Sequence, residues 1–149
     1  MIIDFHSHFV PSSFPAKPAG LAEAAWPEMR LADGGESGAL YTGNKLFREF
    51  GSYYWDVTGR IAAMDRSGAD VQVISPLPEL FSYWLSPEAG AIVTSAMNAE
   101  CAAMVRASGG RLRGLGIVAL QDVAHAAVQV AEIAALGLSG IFVGSHVNG

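Results

Sequence analysis

The 149-residue sequence has one cysteine, no cluster of lysine and arginine, and no apolar run near the ~18 residues that cross a bilayer. Each absence excludes something. A lone Cys101 cannot form a disulfide within the chain. It falls in a helix-like stretch, where it reads as a buried structural thiol, and a reducing cytosol suits it. Without a basic cluster there is no electrostatic footprint for nucleic acid. The first ten residues contain no Lys or Arg, and Asp4 and two histidines interrupt their apolar run, so no secretory signal is read. These absences describe a cytoplasmic protein with neither membrane nor nucleic acid among its partners. Charged residues are also few, 15% with a net charge of −5, against 51% apolar residues. That composition argues against disorder and supplies a single domain with a hydrophobic core.

What is present is an alternation of strand-like and helix-like segments. Ile2–His6, Val71–Ser75, Leu112–Leu120 and Gly140–Gly144 read as strands. The last three are apolar and β-branched without strict polar alternation, the pattern of parallel strands covered on both faces. Asp56 caps a helix to Ser67 that Gly68 ends, with Arg60 and Arg66 expected towards solvent. Ser86-Pro87-Glu88 opens a second helix running to about Ala107. Asp122 caps a third, ending near Gly137, with Val123, Ala127, Val130, Ala131 and Ala134 as its apolar stripe. Strand–helix–strand units with short links predict an α/β fold with a parallel sheet.

Residues 11–55 break this rhythm. They hold four prolines and a Gly34-Gly35 pair, and they are too long for an ordinary connection. We read an insertion after the first strand, with a short helix near Leu21–Trp26 and a small hairpin around Leu31–Phe47. Four βα units make half of an eightfold barrel, which needs about 250 residues. The expected architecture over 1–149 is therefore the amino-terminal half of a (β/α)8 TIM barrel as a fragment of a longer protein, an open four-unit sheet, or two copies that associate.

The chemistry points to His6 and His8. Residues i and i+2 of a strand share a face, so both imidazoles can converge on one metal ion. The alternative is two histidines hydrogen-bonded at a strand end. Asp4 is expected on the same face one step deeper, where its carboxylate could orient a ligand; the alternative is a strand-interior carboxylate paired with a base. His146, after the fourth strand, could approach the same end, and a polar loop role is equally open. His125 is expected at the surface. Arg48 could fork onto a substrate carboxylate, though spacing alone favours a surface arginine paired with Glu49. Phe81 and Trp84, in Phe81-Ser82-Tyr83-Trp84, fit a pocket wall or plain packing equally well.

These residues carry a resemblance. The Ile3-Asp4-Phe5-His6-Ser7-His8 opening, Phe47-Arg48 followed by Trp55-Asp56, the Val71-Gln72-Val73 strand, the Phe81–Trp84 loop and Gly144-Ser145-His146-Val147 are similar to amidohydrolase-related enzymes. The nearest branch is the aminocarboxymuconate semialdehyde decarboxylases. The resemblance covers this chain and the amino-terminal half of the family's barrel. It implies a distorted (β/α)8 barrel with one divalent metal, zinc being the expected ion. It matches His6 and His8 to the family's first two metal ligands, and Arg48 to an arginine that holds a substrate carboxylate. The family's third histidine, in a His-Pro motif, its catalytic histidine and its late aspartate have no counterpart here. The implied reaction is metal-assisted, non-oxidative decarboxylation of a small unsaturated or aromatic carboxylic acid. Hydrolysis of a lactone or amide on the same scaffold, or a non-catalytic half-barrel that associates, are the alternatives. The expected partners are a small carboxylate substrate and a second polypeptide, as a homodimer or as the missing half.

Overall fold

The computed structural model describes residues 1–147. Strands β1 (Ile3–Phe9), β5 (Val71–Pro76), β6 (Leu112–Gly116) and β7 (Gly140–Ile141) form a four-stranded sheet in the order β1-β5-β6-β7, every adjacent pair parallel. Helices α1 (Val57–Ser67), α2 (Pro87–Ala107) and α3 (Val123–Ala135) link successive strands of this sheet. Between β1 and α1 lies a second sheet of β2 (Pro27–Leu31), β3 (Ser37–Thr42) and β4 (Lys45–Gly51), antiparallel in the order β2-β3-β4. The sequential parallel order is that of half a (β/α)8 barrel.

The helices begin and end where local chemistry directs. The Asp56 carboxylate accepts from the backbone of Thr58 and Gly59, and Gly68 closes α1 in the left-handed conformation (φ 77°). Ser86 accepts from Ala89 N and Pro87 opens the first turn of α2. Asp122 accepts from His125 N at the start of α3. The helices approach β6 closely enough to demand glycine. A Cβ on Gly114 would sit 2.7 Å from Cys101 Sγ and 2.6 Å from Leu138 Cδ2. One core lies between sheet and helices, around Phe9, Ile74, Met64, Cys101, Leu112 and Ile133. A second joins the inserted sheet to the strand ends, through Val10, Leu40, Phe50, Leu80, Phe81 and Ile117.

Several expectations need correction. β6 stops at Gly116 rather than continuing to Leu120, because side chains take over its backbone. Asn98 bonds both Ile117 O and Ile117 N at 2.8 Å, and Gln129 Oε1 accepts from Ala119 N at 2.8 Å. β7 ends at Ile141. No helix forms at Leu21–Trp26. Lys17 Nζ takes the Glu23 carbonyl, and Trp26, held extended before Pro27, accepts from Gly43 N. The hairpin expected at 31–47 is a three-stranded sheet spanning 27–51. Arg60 is not at the surface but fully buried.

The rotation of α3 also differs. Its buried face is Ala126, Gln129 and Ile133, while Val123, Ala127, Val130, Ala131 and Ala134 are exposed. A polar residue sets this orientation: Gln129 also donates to Thr94 Oγ1 at 2.7 Å, so its amide is satisfied inside. His125 is half-buried, with Nε2 shielded from solvent. Among the described residues, no helix is long and apolar enough to cross a membrane.

Candidate metal and substrate site

His6 and His8 converge. Their Nε2 atoms lie 3.1 Å apart and their rings meet edge-on, with centroids 4.8 Å apart. The i, i+2 spacing aims both rings to one side of β1. The pairing of β1 with β5 shows which side. His8 lies beside Ser75, whereas Asp4 and Ser7 lie beside Gln72 and Ile74, which face the helices. A register shift between Asp4 and Ser7 separates the two sets. Asp4 therefore does not share the histidine face. Its carboxylate accepts from Gln72 Nε2 at 2.7 Å and from the His6 backbone N–H at 3.3 Å.

His8 Nδ1 is 3.1 Å from Ser75 Oγ. With Nδ1–H donating to that hydroxyl, the Nε2 lone pair of His8 is left facing His6. Burial, then the neighbouring His6, lowers the His8 pKa below 6.5, which favours the neutral imidazole a metal requires. Two neutral nitrogens 3.1 Å apart need a proton or a cation between them. Nitrogens bound to one ion at about 2.0–2.1 Å, at angles between octahedral and tetrahedral, stand about 2.9–3.4 Å apart. The pair fits a divalent metal as two of its ligands. Among the described residues, no group of three or more His, Cys, Asp or Glu side chains gathers to hold an ion.

An aromatic wall flanks the pair. Phe142, just past β7, stacks on His8 and stands edge-on to His6, and Phe81 meets Phe142 edge-on at 5.2 Å. Tyr83 OH accepts from Gly144 N at 3.3 Å and ties the aromatic loop to the end of β7. That loop turns at Ser82, which is buried with φ 58°, an uncommon conformation for a residue other than glycine. Trp84 is half exposed and lines a cavity of about 330 Å³. The rest of its wall includes Leu40, Thr42, Lys45 and Phe47 from the inserted sheet, and Glu79 and Leu80 after β5. The histidines do not line it, but the Glu79 charge is felt at His8 as the last of five influences there, favouring protonation.

The remaining candidates make no hydrogen bond to the two histidines among the described residues. Arg48 is exposed on β4, beside Leu40 in the sheet, with its guanidinium 5.7 Å from the Phe50 ring centre. Phe81 is buried against Tyr83 and Phe142. His146 is exposed, with Nδ1 3.0 Å from Ser145 Oγ. Phe142, Ser75 and Glu79 were not singled out from the sequence. Their signal was positional, since each lies at or just beyond the carboxyl end of a parallel strand, where barrel enzymes place their chemistry.

A family model described as amidohydrolase (Amidohydro_2) matches residues 3–149. The chain belongs to this family. This amidohydrolase chain is 31% identical over 148 residues to the 2-amino-3-carboxymuconate-6-semialdehyde decarboxylase of Dictyostelium discoideum, covering 99% of its own length and 41% of the relative's. It spans the same 41% of a second relative of that name, from Caenorhabditis elegans. A 5-carboxyvanillate decarboxylase from Novosphingobium aromaticivorans, solved with bound manganese and 3-methoxy-4-hydroxy-5-nitrobenzoic acid, superposes with a TM-score of 0.62. Identity there is 26%, over 66% of this chain and 29% of that chain. The apo IDCase of Metarhizium anisopliae matches at 18% identity and shares the fold, with a TM-score of 0.68 over 94% of this chain and 41% of its own. Relatives and neighbours of this amidohydrolase include decarboxylases of its superfamily.

Proposed function

We propose that this chain is the amino-terminal part of a divalent-metal-dependent decarboxylase that removes CO₂ from a small unsaturated or aromatic carboxylic acid in the cytoplasm. The observation that carries the reading is the 3.1 Å approach of His6 Nε2 to His8 Nε2 at the carboxyl end of a parallel strand. His6 and His8 hold the metal, zinc or manganese. When bound, the ion supplies Lewis acidity towards the substrate. His8 stays neutral because it is partly buried beside a second imidazole, and Ser75 holds its ring in the orientation that presents Nε2. Phe142 and Phe81 keep water from one side of the pair. Arg48 takes the substrate carboxylate, and Trp84 offers a flat apolar face for a conjugated or aromatic body. His146 contributes polar contact from the loop beyond β7.

Two imidazoles are an incomplete ligand set. The chain spans 41% of the length of its relatives, and the remaining donors and the general acid come from the complementary half, in the same polypeptide or an associated one, or from a second copy. Mass measured in solution distinguishes a monomer from a dimer. The test of function is CO₂ release from 5-carboxyvanillate and from aminocarboxymuconate semialdehyde by the manganese- or zinc-loaded assembly. Loss of both metal and CO₂ release in His6→Ala and His8→Ala supports the reading. Full metal stoichiometry in the double variant, or ring opening of a lactone with no CO₂, overturns it.

A further inference from the structure

The face of β1 away from the histidines is organised by one buried cation. Arg60, on α1, is 0% exposed. Its guanidinium donates to Ser7 Oγ (3.1 Å), to the His8 carbonyl (2.8 Å) and to Gln72 Oε1 (2.7 Å), and it lies over the Tyr53 ring at 4.3 Å. Gln72 passes the grip on: its Nε2 donates to Asp4 Oδ2, and Asp4 Oδ1 accepts from His6 N. Burial of this arginine lowers its pKa, and its Nε has no hydrogen-bond partner among the described residues. Every oxygen it bonds directly is neutral.

A charge buried in this way is costly. Desolvating a cation takes several kcal/mol, and no carboxylate touches this one to repay it. Packing alone would be served by an aliphatic side chain, as it is one turn on at Met64. What the guanidinium does that an aliphatic chain cannot is bond at fixed angles to several acceptors at once. Those acceptors have a pattern. The parallel ladder shifts register between Asp4 and Ser7, and His6 lies inside that irregular stretch. Regular strand pairing therefore does not set the direction of its backbone. The Arg60–Gln72 network holds both ends of the irregularity, Asp4 on one side and Ser7 with the His8 carbonyl on the other.

We infer that Arg60 is a positioning residue, whose buried guanidinium braces the back of β1 and fixes the convergence of His6 and His8 on a shared cation. This rests on the metal reading of the pair and deepens it.

The experiment compares Arg60→Met and Gln72→Leu with Met64→Ala, a core change on the same helix that leaves the network intact. Folding is followed by circular dichroism and urea unfolding. Zn²⁺ binding is followed by calorimetry, and ring tautomers by long-range ¹H–¹⁵N spectra of the imidazoles. Zn²⁺ affinity falls ~10–100-fold in the folded Arg60 and Gln72 variants, the range seen when supporting partners of ligands are lost. Met64→Ala lowers stability and leaves affinity unchanged. Wild-type affinity in either network variant, or an equal loss in Met64→Ala, overturns the inference. Should Arg60→Met not fold, Gln72→Leu decides alone. If the wild-type chain, with two of the ligands alone, takes up no Zn²⁺, affinity gives no readout, and the metal reading is tested on the complete assembly. The positioning claim is then judged on the spectra: two distinct fixed tautomers in wild type that average in the network variants support it, and unchanged tautomers overturn it.

Discussion

The Phe142 ring stacks on the His8 imidazole, with centroids 5.9 Å apart and planes at 29°, and meets Phe81 edge-on at 5.2 Å. The contact joins the last strand of the sheet to the first. It also helps explain why burial is the largest influence on His8.

That burial has a pH signature. The folded chain holds His8 below 6.5, first through burial and then through His6. The unfolded chain therefore binds protons more readily on acidification. The stability His8 contributes is complete above pH 6.5 and is lost as pH falls through the folded pKa. Urea midpoints measured between neutral and acid pH will decline in wild type, and less steeply in His8→Asn. In Phe142→Ala, the His8 titration followed by NMR will move back up towards 6.5.

Ser75 fixes which nitrogen of His8 carries the proton. Replacing it with alanine leaves the imidazole in place but free to turn. Ser75→Ala is expected to weaken Zn²⁺ or Mn²⁺ binding ~10-fold or more, with little change in unfolding midpoint. Calorimetric titration of wild type and variant side by side checks this.

Asn98 performs the work of a missing strand neighbour for Ile117, accepting from its N–H and donating to its carbonyl. An isosteric apolar replacement strands both backbone groups in the core. Asn98→Leu should cost ~2–6 kcal/mol, about 1–3 for each of the two buried groups left unpaired. Equilibrium urea unfolding measures it.

Cys101 is fully buried, and burial pushes its thiol up to about 12. The thiolate needed for reaction is scarce at neutral pH. The native chain will not react with an aromatic disulfide reagent on the timescale of mixing. Full reaction of one thiol per chain will appear only above the denaturation midpoint.

Helix positions were readable from the sequence because capping is local. Asp56 with Gly68, Ser86-Pro87 and Asp122 bound α1, α2 and α3 as expected. The half-barrel order was readable from the apolar strands, and the family from short motifs spread along the chain, from Ile3–His8 through Phe81–Trp84 to Gly144–Val147. What escaped depended on partners distant in the chain. Asp4 sits two residues before His6, which suggested a shared face, but the register shift against β5 turns it towards Gln72. Arg60 looked like solvent decoration because nothing near it in sequence marks Ser7, His8 and Gln72 as acceptors. The apolar stripe read for α3 omits Gln129, whose inward amide finds its partners in Thr94 and Ala119, distant in the chain. Phe142 counted as strand body, and only the folded sheet brings it across to the histidines.

β1 is an outer strand of the four-stranded sheet, so the imidazoles stand on a flank rather than in an enclosure. A strand that paired along that open edge would stand beside the two imidazoles and shield them from solvent.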